Sequence, residues 1–384
     1  MNRRSLLKIG ARAGAALLAA PMISRGRYRL FADTRTEYSA RTIELVRGSL
    51  VIDMLSPLTL DADLEARWLS GPEGFSPAHA QLFKESGISV FNPGGGGGGR
   101  NAYSRTLDFI AKWNGFVADR GDICLRIDSA TDLERVKSSG KFGVLIGVQN
   151  ADHFQTLDDV DYFHGLGLRV AQLTYNTRNL IGNGATERRD DGLSDYGVAV
   201  IERMNRTGIA VDVSHCGDRT TLDAFEASKK PVLITHSNCR ALVPGHPRLK
   251  TDEAIKKMAA TGGVMGITGL RMFTREREPT SLGDVLDHFG HVVKLAGIEH
   301  VGIGSDSDLY GYDALPPEVL ARMRAGYKGS YGLREKIDIE GLNHPKRVYD
   351  LTEGLISRGY SDRNIKLILG GNFKRALSRV WVVS

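Results

Sequence analysis

Ile209-Ala210-Val211-Asp212-Val213-Ser214-His215 and, one helix-patterned segment later, Pro231-Val232-Leu233-Ile234-Thr235-His236 are the stretches that decide the fold. Each is a largely continuous apolar run ending in a polar side chain. Alternation would mark a strand with one wet face, whereas continuity marks a parallel strand covered on both faces. Thr221–Ser228, between them, carries helical spacing. The same unit recurs outward in both directions, with runs at Leu50–Met54, Ile88–Asn92, Gly143–Val148, Arg169–Thr174, Gly263–Thr268 and His300–Ser305. Leu193–Thr207, Asp252–Thr261 and Leu282–Ala296 read as further helices. Eight strand–helix units in about 260 residues match a (β/α)8 TIM barrel. A doubly wound open sheet is the alternative, because spacing alone does not show closure. Ser357–Val383 reads as helices closing the barrel, and Tyr310–Ser330 as an extended loop over one end.

Of the 384 residues, 41% are hydrophobic and 25% charged, values that exclude a disordered chain and a multi-span membrane protein. The net charge of +6 falls to +2 once Arg3, Arg4, Lys8 and Arg12 are set aside. The basic balance is therefore mostly an N-terminal address, and nucleic acid is not an expected partner. Paired arginines before the weakly apolar Gly14–Ala20 resemble a bacterial twin-arginine export signal, too short for a stable membrane span. The expected organisation is a signal over 1–24 and a single barrel domain over 25–384, with a periplasmic or secreted destination. Cys124, Cys216 and Cys239 have no zinc-knuckle spacing and read as small buried residues. The run Gly94–Gly99 lacks a following Lys-Ser/Thr and reads as a flexible loop, not a phosphate cradle.

Chemistry in such a barrel belongs at the C-terminal ends of the strands. Those ends supply Asp53, Asn92, Gln149, Tyr175, His215, His236, Thr268 and Asp306. A single histidine after a strand is most often structural. Two on adjacent strands, with an aspartate on the eighth, suit Zn2+ with an open position for water. That water, made acidic by the metal, would be the nucleophile, with the carboxylate handling protons.

Several stretches in order resemble the renal, or membrane, dipeptidase family of zinc peptidases. They are Gly192-Leu193-Ser194-Asp195-Tyr196-Gly197, Val211–His215, Thr235-His236-Ser237-Asn238-Cys239-Arg240-Ala241-Leu242, Gly262–Ile267, His300–Asp306 and Leu369-Gly370-Gly371-Asn372-Phe373. The resemblance runs from about Leu50 to Val380. It implies a metallo-dependent-hydrolase barrel, dipeptide hydrolysis at a two-zinc centre and, by analogy, a homodimer. It further implies that His215 and His236 bind one zinc, that Asp306 binds the other and carries the proton, and that Arg240 receives the substrate carboxylate.

The departures from the family pattern are serious. The Asp-x-His-x-Asp pattern of the first strand reads Asp53-Met54-Leu55-Ser56-Pro57, so Leu55 and Pro57 replace two ligands. The bridging glutamate is Gln149, whose neutral amide cannot offset the repulsion between two dications. A substrate-contacting histidine is Tyr175, followed by Asn176. The expectation is one zinc per chain, held by His215 and His236 with Gln149, Asp306 or water, and hydrolysis of dipeptides or dipeptide-like amides. Tyr175, Asn176 and Arg240 are expected to contact substrate. The alternative is a catalytically silent barrel that binds a peptide or carboxylate ligand.

Overall fold

The computed structural model describes residues 26–30 and 37–382. The export-signal expectation falls on residues outside these. A short antiparallel pair, β1 (Arg27–Arg29) and β2 (Glu37–Ser39), precedes the main sheet. Then come β3 (Ile52–Asp53), β4 (Val90–Phe91), β5 (Cys124–Arg126), β6 (Phe142–Val144), β7 (Gly147–Val148), β8 (Val170–Gln172), β9 (Ala210–Asp212), β10 (Ile234–Ser237), β11 (Met265–Ile267) and β12 (Val301–Ile303).

All pairings from β3 onward are parallel, in two ladders: β10-β11-β12-β3-β4-β6-β5 and β7-β8-β9. The ladders join at both seams. Val213 N–H donates to Leu233 O at 3.0 Å, and Leu233 N–H to Val211 O at 2.8 Å, linking β9 to β10. On the other side Arg169 N–H donates to Ile146 O and Gln149 N–H to Gly95 O, each at 3.0 Å. The first barrel strand meets the last, with Asp53 opposite Ile303. The sheet is therefore a closed eight-stave barrel, its third stave made of β6 and β7, and the open-sheet alternative is excluded.

Buried aliphatic runs form the staves, and capped amphipathic helices cover them. Ser194 accepts from Gly197 N–H to start the helix Asp195–Thr207, which Gly208 ends at φ 92°. Thr251 accepts from Ala254 N–H at the head of Asp252–Ala260. The helix Leu282–Ala296 has the predicted bounds. Two features differ from expectation. The strand β5 pairs beside β6 and was not among the eight runs, because Cys124-Leu125-Arg126 is short and ends in a half-buried charge paired with Asp128. The covering segment is not all loop: Pro317–Ala325 is a helix with no fully buried residue.

Candidate active site

Four hydrogen bonds fix the tips of β9 and β10. The buried Asp212 carboxylate accepts from the Ser214 amide (3.0 Å) and hydroxyl (2.6 Å) and from the Thr235 amide (3.0 Å) and hydroxyl (2.7 Å). Burial raises its pKa against the pull of these donors. His215 and His236 project from the tips so held, both fully buried. Their Nε2 atoms lie 2.9 Å apart. Nδ1 of His215 meets Asn176 Oδ1 at 2.8 Å, and Nδ1 of His236 meets Thr235 Oγ1 at 2.8 Å.

Following the protons along this chain fixes the tautomers. The Thr235 hydroxyl donates to the Asp212 carboxylate, so its oxygen accepts from His236 Nδ1–H. Asn176 oxygen likewise accepts from His215 Nδ1–H. Both Nε2 atoms then carry bare lone pairs facing one another, an arrangement relieved by a cation between them. Burial, followed by the charge of Arg248, holds both imidazole pKa values well below normal, so protonation does not supply it. Neutral rings with anchored Nδ1 atoms are the form in which histidines ligate metals.

The opposite side of the mouth is built differently. Leu55 is buried, and a Cβ on Gly94 (φ 61°) would stand 2.0 Å from its Cδ1, so Leu55 and the glycine loop pack backbone to methyl. Gln149 Nε2 donates to Gly94 O at 2.7 Å. Asp53 gives its oxygens to Ser305 N–H (2.8 Å) and Arg347 Nη2 (3.0 Å). Asn92 ties Met54 O to Gly94 N–H, and Thr268 accepts from Leu270 N–H. No group of three His, Cys, Asp or Glu side chains suited to a metal exists among the described residues. The predicted set of His215, His236 and Asp306 is therefore not assembled as one shell. Of the expected ligands, the structure brings the two imidazoles together and leaves Gln149 hydrogen-bonded to the glycine loop.

Asp306 sits at φ 58° with its amide donating to Leu55 O at 2.9 Å. It is 9% exposed, and no hydrogen bond reaches its carboxylate among the described residues. Burial pushes its pKa up to about 7, against the pull of Arg248 and with the help of Asp53. It lines a cavity of about 210 Å³ together with Gln149 and Tyr175. The Tyr175 ring stacks on His215 at 4.2 Å, and its hydroxyl meets that of Tyr327 at 2.9 Å. Tyr312, Tyr327 and Tyr331 come from the covering segment.

Two expected substrate contacts are corrected. Asn176 is turned to His215 and does not line the cavity, so it positions the imidazole. Arg240 is half-buried and bound to Asp218 at 2.5 and 2.7 Å and to the Leu249 carbonyl, away from the cavity. After His236 the chain turns aside through the short helix Arg240–Leu242 and returns beside Asn238, with Lys250 N–H on Asn238 O at 3.0 Å. That return places Arg248, fully buried, behind the mouth. Its guanidinium binds the carbonyls of Ser214 and His236 and the Ser237 hydroxyl, and its charge acts on both histidines and Asp306. Sequence reasoning missed it, and nothing in His246-Pro247-Arg248-Leu249-Lys250 announces a buried cation.

Residues 80–319 match the family model described as membrane dipeptidase, peptidase family M19. The chain belongs to the membrane dipeptidase family. Among curated relatives, dipeptidase verJ of Clonostachys rogersoniana is 32% identical over 67% of this chain and 60% of its own length. An uncharacterized dipeptidase of Schizosaccharomyces pombe, C965.12, is 34% identical over 47% of this chain and 45% of its own. The chain thus spans about half to three-fifths of these membrane dipeptidase relatives. Among solved structures, an amidohydrolase from Pseudomonas aeruginosa superposes with a TM-score of 0.75 at 29% identity, covering 88% of this chain and 99% of that one. A metallopeptidase from Rhodobacter sphaeroides, liganded with a phosphinate mimic of L-Ala-D-Ala, shares the fold with a TM-score of 0.67 at 19% identity, over 86% and 99% of the two chains.

Proposed function

We propose that this membrane dipeptidase family member hydrolyses dipeptides or dipeptide-like amides at the barrel mouth, with a single metal on His215 and His236. The facing Nε2 lone pairs, 2.9 Å apart at the strand tips, carry the reading. His215 and His236 would hold the ion, which would supply Lewis acidity and an acidified water near neutrality. Asp306 takes a proton from the attacking water and returns it to the departing amine as the C–N bond breaks. A pKa near 7 suits a group that must do both. Arg248 keeps a positive charge behind the mouth, favouring negative charge that develops on the carbonyl oxygen. The tyrosine roof excludes bulk water, which strengthens these interactions.

Metal content of protein purified without chelator, read beside turnover on a dipeptide panel, tests the proposal. About one zinc per chain, lost in His215→Ala together with turnover, is the expected result. The second reading, a barrel that binds such ligands without cleaving them, draws on Leu55, Pro57 and Gln149. Two neutral imidazoles near the buried Arg248 and Lys250 hold a dication less firmly than a shell with carboxylates. No metal and no turnover, even after zinc is supplied, would select it. Export through the paired Arg3-Arg4 signal is part of the proposal, and fractionation of cells carrying an Arg3→Lys, Arg4→Lys variant tests it.

A further inference from the structure

The cavity over the mouth has a polarity of its own. Among the described residues Asp306 is the one charged side chain lining it, and no lysine or arginine does. Its carboxylate is nine-tenths buried and without a hydrogen-bond partner among the described residues, so it is open to a donor from a ligand in the cavity. The opposite wall is a stripe from the covering segment: Leu315, Val319, Met323 and Tyr327 recur every four residues and all face the cavity. Between them, Glu318 and Arg322 are exposed on the outer side. Tyr327 packs on Tyr331 at 4.4 Å between ring centroids, and Tyr331 on Phe273 at 5.3 Å, so the aromatic wall is backed by a second layer. Nothing in this lining compensates an acidic side chain, and a ligand with no side chain leaves the stripe uncovered.

We infer that the cavity selects dipeptide-like amides bearing a bulky aliphatic or aromatic side chain, seated against Val319, Met323 and Tyr327, with an amino or amide N–H given to Asp306. This rests on the function proposed above for the choice of dipeptide-like ligands, and names their class. An acidic side chain placed here would face the Asp306 carboxylate, with Arg248 standing only behind the wall, while an apolar one exchanges water for methyl and ring surface. Tyrosine hydroxyls leave room for a polar backbone beside that side chain.

Calorimetric titration of the full chain, kept in chelator so that no turnover intervenes, separates the possibilities. The probes are leucyl-phenylalanine, glycyl-glycine and aspartyl-aspartate. Leucyl-phenylalanine is expected to bind at least about tenfold more tightly than glycyl-glycine, with aspartyl-aspartate weakest. Met323→Glu and, separately, Val319→Asp are expected to erase that preference while circular dichroism stays unchanged. Equal binding of the three probes, binding of none, or an unaltered preference in both folded variants overturns the inference. Restoring zinc then tells its failure from that of the hydrolase reading. Selective binding without cleavage removes the hydrolase reading and keeps the selectivity, whereas cleavage of all three probes at similar kcat/KM does the reverse.

Discussion

The two sides of the barrel mouth have the same backbone and opposite chemistry. At β9 and β10, the side-chain oxygens of Asp212, Ser214 and Thr235 are tied into one network beneath two imidazoles. At β3, β4 and β7, the strand tips are filled by Leu55 against Gly94 and by an amide that donates its proton to the loop. A barrel rim tolerates this division because each stave delivers its terminal residue independently. One side can lose its ligands while the other keeps the network that makes ligands useful.

Making the sides alike is the most drastic way to break the comparison. Leu55→His, Pro57→Asp and Gln149→Glu together are expected to raise zinc from about one to about two per chain by elemental analysis. Next in size, Asp306→Asn is expected to lower kcat by about 10²–10⁴ with the fold intact by circular dichroism. Arg248→Met, on the polar side, leaves two buried carbonyls without their donor. It is expected to cost about 3 kcal/mol in urea unfolding, against less than about 1 kcal/mol for the half-exposed Arg240→Met.

A pH effect of smaller size sharpens the assignment of Asp306. Its folded pKa is raised to about 7, while an unfolded aspartate titrates near 4. Across that window the native state holds a proton that the unfolded chain has released, so chelated protein is expected to lose stability as pH rises from about 4 to 7. Its share of the slope is roughly 1.4 kcal/mol per unit at most, and Asp306→Asn is expected to remove that share when unfolding midpoints are compared at pH 5 and 8, leaving the part from Asp338, whose pKa is also raised, to about 6.

Much of this was legible in the sequence, for reasons that also explain what was not. Staves buried on both faces leave continuous apolar runs, and a polar residue ending such a run is at the rim. That logic put His215, His236 and Asp306 at the rim, whereas the reading of Leu55 as a replaced ligand rests on the family resemblance. The same logic failed at β5, where Cys124-Leu125-Arg126 is held by edge pairing and not by apolar continuity. Arg240 came from the family resemblance and not from this logic, and the structure ties it to Asp218. Arg248 reaches the mouth through a loop that doubles back, and Asn176 turns to His215 from a left-handed φ of 58°. Neither geometry leaves a periodic trace.

The Asp53–Arg347 ion pair has a consequence for how the molecule comes into being. Its partners are 294 positions apart, and the same seam pairs the first barrel strand with the last. Closing so long a loop is entropically costly until the final contacts repay it, and contacts of that separation form slowly. On a ribosome, where a chain emerges at about 5–20 residues per second, the staves from β3 to β11 are made well before the strand that seals them. The mouth with its cavity is therefore complete only late in synthesis. A chain cut before Arg347 would carry both histidines and lack the anchor that holds the first strand's tip to the rim.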